Sequence, residues 1–208
     1  EINGHLYNLY PIGVSIISLP FVFIIDYFSA KVLCFDLDFY IKHSLPSGIE
    51  LFVASSIVAL AAVIVYLLTR LYLDRKRALI LVFIFAFCTS AWSTASRALW
   101  MHGPSMLFLA ASLYMILLAK QKPWLITFVS IPLFFSYIIR PTNSISIFFL
   151  SLFVLLRYRK YFIPYLIVGS VILLPFFFYN LHIYGQILSP YYFARKLGLQ
   201  PGFAIALL

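Results

Sequence analysis

The chain has 208 residues, of which 64% are hydrophobic and only 10% charged, and its formal net charge is +9. Soluble domains take about a quarter of their residues from Asp, Glu, Lys and Arg, so a water-facing globule is excluded. A nucleic-acid binder is excluded too, because the 15 Lys and Arg residues fall in short clusters between apolar runs, as membrane topology signals do.

The sequence opens with Glu1 rather than Met and closes inside the apolar run Phe203 to Leu208, the ends expected of a piece of a longer protein. Pro11 to Ile25 is the first apolar run. It is long enough to cross a bilayer, but a crossing would set its start on the side opposite to the other segments of its kind. Residues 9–25 are therefore expected as an interfacial or re-entrant helix, with full crossing as the open alternative. Pro11 suits its first turn, where the missing N–H has no helical partner to lose. Residues 26–50 read as an extracytoplasmic loop in which Asp36 and Asp38 are solvated charges. Cys34 and Cys88 lie far apart, so neither a disulfide framework nor a metal knuckle is indicated.

Leu51 to Leu68 runs LFVASSIVALAAVIVYLL without a charge. Eighteen helical residues span about 27 Å, close to the hydrocarbon thickness of a bilayer. Arg70, Arg75, Lys76 and Arg77 follow, and mark that end as cytoplasmic. Ala78 to Ser96 returns outward, His102 to Ala119 goes back in, and Pro123 to Ile139 comes out with a bend expected at Pro132. Thr142 to Leu156 runs inward to Arg157, Arg159 and Lys160, and Tyr161 to Tyr179 leaves again. The fold class is thus all-α, a single transmembrane domain with six spanning helices over residues 51–180, then an outer segment and the start of a further helix over 181–208. The alternation passes its own test, since nine basic residues and one acid fall on the inside loops against six basic residues and five acids outside.

Polar side chains near membrane depth are expensive, and here they gather at the outer ends. Arg97 and His102 flank the hairpin turn in SRALWMHGPS, where Gly103 and Pro104 end one helix and begin the next. Arg97 is a candidate phosphate ligand and His102 a candidate acid, base or metal ligand. The plain alternative is a snorkelling Arg and an interfacial His. Arg140 in IIRPTN precedes Pro141, which disfavours helix at Arg140 and leaves Thr142 and Asn143 free to cap the next helix. It reads either as an anion ligand or as a helix anchor. Asn180 falls at the end of the last span. No HExxH, Walker loop, GxGxxG or Ser elbow occurs.

Several segments, in order, resemble the GT-C superfamily of integral-membrane glycosyltransferases. YNLYPIGVSIISLPFVF is similar to its YPPG-type segment, TSAWSTASRALWMHGPSMLFLAASLYMILL to its outer hairpin, and IIRPTN and YNLHIYGQILSPYY to later outer-face signatures. The likeness is to bacterial relatives of the lipid A aminoarabinose transferase and the protein O-mannosyltransferases. It implies transfer of a sugar from a polyprenyl-phosphate donor to an acceptor outside the bacterial inner membrane. It further implies donor-phosphate contacts at Arg140, Arg97 and Tyr10, a site lined by Asn143 and Asn180, and a different task for His102, which stands where the aminoarabinose transferases carry Asp. Ile12 departs from the second Pro of the Lys-Pro-Pro that relatives often have. The catalytic acid of the family belongs to a loop ahead of Glu1. No cofactor is certain and a divalent metal stays open. The partners implied are a polyprenyl-phosphate-linked sugar and membrane lipids, with no nucleic acid. A transporter or flippase fragment and a non-catalytic scaffold subunit are the rival readings.

Overall fold

The computed structural model describes residues 11–32 and 47–188, and every regular element among them is helical. Seven α-helices occur there: α1 (Gly13–Val32), α2 (Ser47–Arg70), α3 (Arg75–Phe87), α4 (His102–Leu118), α5 (Ile126–Ile139), α6 (Ser144–Arg157) and α7 (Arg159–Tyr184). A π-helical turn, Ala91–Ala95, follows α3, and short 3-10 turns lead into α5 (Pro123–Leu125) and α6 (Pro141–Asn143). By length and composition three helices are long and apolar enough to cross a membrane, within α1, α2 and α7, and α4, α5 and α6 belong to shorter apolar helices. This is the arrangement expected of a membrane protein, because a helix satisfies its own backbone donors and acceptors where no water is present. The bundle also exposes large apolar side chains all round, Val171 at 64% and Phe178 at 68% among them, as a lipid-facing surface does.

Helices in lipid gain nothing from hiding apolar surface from water, so contact between them depends on close packing. Small residues supply it. Ala54 and Ala61 on α2 are buried, as are Gly103, Ser105 and Ser112 on α4. Gly169 of α7 lies under the Phe134 ring of α5, where a Cβ would come within 2.8 Å of the ring. One core cluster joins Ile116, Ala119, Ile126, Val129, Leu133, Val154 and Tyr165 from α4, α5, α6 and α7. The buried Tyr165 hydroxyl is satisfied by Ser151 Oγ at 2.7 Å, which ties α7 to α6.

Two ends of the bundle are distinguished by their contacts. Lys120 Nζ donates to the Tyr72 hydroxyl at 2.9 Å, so the α2–α3 and α4–α5 connections share one end, with the single-residue link at Tyr158 between α6 and α7 continuing the same alternation. That end carries Arg70, Arg75, Lys76, Arg77, Lys120, Lys122, Arg157, Arg159 and Lys160. At the far end Glu50 meets Leu99, His102 meets Arg140 and Asn143 meets Ser105. The grouping of basic clusters expected from the sequence is therefore present.

Several boundaries differ from the sequence expectation. The helix expected over 78–96 stops at Phe87, because the Thr89 hydroxyl donates to Phe85 O at 2.7 Å and accepts from Ala91 N at 3.1 Å, intercepting the backbone ladder before the π turn. α1 continues past Asp26 to Val32, and α2 begins at Ser47 rather than Leu51. The expected loop over 26–50 is thus helical at both its ends, while Cys34, Asp36 and Asp38 lie outside the described residues. Asn143 does not act as a side-chain cap: its backbone is already helical, φ −67° and ψ −5°, so the side chain is not turned back to the following N–H groups.

Candidate functional site

The far end is built by three joints. In the first, Pro141 holds Arg140 extended (φ −147°, ψ 102°), as its place before proline dictates, and α5 ends there with Arg140 N bonded to Ser136 O. In the second, α4 starts at His102 with Gly103 and Pro104 buried in its first turn, where a Cβ on Gly103 would meet Val58 Cγ2 of α2 at an ordinary contact distance of 3.5 Å. In the third, Gly13 opens α1 directly on the backbone of α5, where an added Cβ would sit 2.6 Å from Ile139 N. Only glycine permits that approach.

These joints bring His102 and Arg140 together. Arg140 Nη1 lies 3.1 Å from His102 Nδ1, across 38 residues of sequence. A guanidinium has donors only, so Nδ1 must be the acceptor and the neutral imidazole carries its proton on Nε2. Among the described residues the one ion pair is Arg77 with Asp74 at the basic end, so no described carboxylate balances Arg140. Trp100 stands beside the pair, its ring 6.3 Å from that of His102. A cavity of about 710 Å³ adjoins His102, walled by Pro11, Val14, Leu19 and Val22 on the α1 side and by Leu99, Trp100 and Met101 on the other, with Glu50, Ser15 and Ser18 as its further polar members.

Asn143 lies one turn from Arg140 and is buried. Its Nδ2 donates to Ser105 Oγ at 2.8 Å and to Ser136 O at 3.0 Å, which clamps the Arg140 turn onto α4. Asn180, also buried, gives Nδ2 to Ile187 O at 2.8 Å and so folds the chain back over the end of α7, beyond the left-handed Gly185. Arg97 is exposed and its guanidinium takes no hydrogen bond among the described residues. Tyr10 lies outside the described residues. Among those described, no group of three or more His, Cys, Asp and Glu is placed to hold a metal ion.

Sequence reasoning passed over Glu50. It stands in the first turn of α2, and its Oε1 accepts the Leu99 N–H at 3.0 Å. The signal available was an acid at the N-terminus of an otherwise uncharged apolar helix, where the helix dipole favours a negative charge.

His102 is exposed and Arg140 half-buried. The start of α2 reaches the same level, since Glu50 meets Leu99 and lines one cavity with His102. Comparison with protein-family models, with curated proteins and with solved structures gives no match to this chain.

Proposed function

We propose that the chain is the membrane part of a glycosyltransferase, which takes a sugar from a polyprenyl-phosphate donor and passes it to an acceptor at the extracytoplasmic face of a bacterial inner membrane. The observation that carries this reading is the Arg140 guanidinium, held by a neutral His102 and by no described carboxylate, beside a cavity with apolar walls. A lipid-linked phosphate matches both parts: the phosphate takes the free donors of Arg140, which suit two oxygens at once, and the hydrocarbon lies along Val14, Leu19, Leu99 and Trp100. Displacing phosphate from an anomeric carbon leaves negative charge on the departing oxygen, and a fixed guanidinium with the His102 Nε2–H stabilises it. In this reading Arg97 and Tyr10 add further donor-phosphate contacts, and Asn143 and Asn180 line the site.

The orientation follows from the basic end facing the cytoplasm, with α2 to α7 as six crossings and α1 lying against the outer leaflet. The first half of α1, from Val14 to Val22, shares its cavity with Glu50 and residues 99–102 at the far end, as a helix running along that face would. A transporter needs ionisable side chains in mid-membrane. From α2 to α7 the charged residues all stand at helix ends, which favours the enzyme.

The test is transfer of radiolabelled sugar from defined polyprenyl-phosphate donors by the full-length protein in liposomes. Arg140→Ala should lower donor binding by about 10- to 100-fold, as loss of a charge-assisted hydrogen bond does, while the protein still inserts. Normal transfer by that variant would falsify the clamp.

A further inference from the structure

We infer that Glu50 is a positioning residue, one that delivers His102 to Arg140 by holding the segment between the π turn and α4; its consequence for activity rests on the function proposed above. Residues 96–101 form no regular helix; the Ser96, Arg97 and Trp100 N–H groups are taken by Ala91 O, Thr94 O and Ala98 O in local turns. The Leu99 N–H is instead taken by Glu50 Oε1 at 3.0 Å, across 49 residues of sequence. Glu50 belongs to the first turn of α2, whose backbone is anchored by the buried Val53, Ala54 and Ile57, while the Glu50 side chain itself is exposed. Leu99, Trp100, Met101 and His102 then form one continuous wall of the cavity, and His102 follows Leu99 by three residues. Release of Leu99 frees that wall and lets the imidazole leave Arg140, whose guanidinium then loses the bond that sets its direction.

The role requires an acceptor oxygen and not a negative charge. Glutamine keeps that oxygen and alanine removes it. The experiment measures donor KM and kcat for the full-length protein in liposomes containing polyprenyl-phosphate sugar, with amide hydrogen exchange of residues 97–101 followed in parallel. Glu50→Ala should speed exchange in that segment and raise the donor KM about tenfold with little change in kcat, whereas Glu50→Gln should stay within about twofold of the wild type in both. Equal damage from the two substitutions would show that the charge itself acts and would overturn the inference. So would wild-type exchange and KM in Glu50→Ala. If the wild type uses no polyprenyl-phosphate donor, the proposed function fails, and the exchange measurement still decides whether Glu50 holds the segment.

Discussion

Arg140, His102 and Asn143 show how far single residues are legible. The Arg-Pro dipeptide announces a helix end and an extended Arg, and both are present. The His-Gly-Pro triplet announces a helix start, and α4 begins on it. What no local pattern encodes is that these two turns, 38 residues apart, meet at 3.1 Å. Glu50 was hidden for the same reason, since its partner is a backbone N–H at a distant position and leaves no mark of residue type. Asn143 was expected as a helix cap and serves instead as a bolt between α4 and the Arg140 turn. Asn143→Ala would undo the tie to Ser105 and take one of two donors from the Ser136 carbonyl, which keeps the Arg140 N–H, costing about 1 kcal/mol. Thermal unfolding in detergent should show a lower midpoint for Asn143→Ala and an unchanged one for Thr142→Ala, whose side chain is exposed.

The elements were read well where charge punctuates apolar runs and less well where polar side chains rearrange the backbone. Arg157 and Arg159 bracket the link between α6 and α7, and Lys120 and Lys122 the entry to α5. The break after Phe87 was missed because Thr89 and Ser90 are ordinary in a membrane helix until the Thr89 hydroxyl takes over the ladder. α1 depends on one contact that sequence does not reveal, the seating of Gly13 on the end of α5. Backbone atoms cannot yield as a flexible side chain would, so Gly13→Ala must lift α1, at about 1–3 kcal/mol. In a protein with Cys34 and Cys88 replaced by Ser, a Ser18→Cys thiol should react slowly, because Ser18 is 7% exposed, and adding Gly13→Ala should make it react quickly. Equal rates would show that α1 is held elsewhere.

For the whole molecule, composition alone excludes a soluble globule, and the count of basic residues on alternate links yields the two ends that the Lys120–Tyr72 and His102–Arg140 contacts then display. The helix packing and the cavity depend on tertiary contacts among small residues, which hydropathy does not register. Orientation is directly measurable. With single cysteines in a cysteine-free protein, a membrane-impermeant thiol reagent applied to intact cells should label positions 100 and 142 and spare positions 76, 120 and 157. Labelling of 120 and 142 from one side would overturn the arrangement of ends.

The place of the His102–Arg140 pair has an electrostatic consequence. His102 is exposed and Arg140 half-buried, so salt screens an ionic contact there wherever water reaches it. In the proposed reading the phosphate part of donor binding should therefore weaken as ionic strength rises, while the part owed to the apolar cavity walls should not.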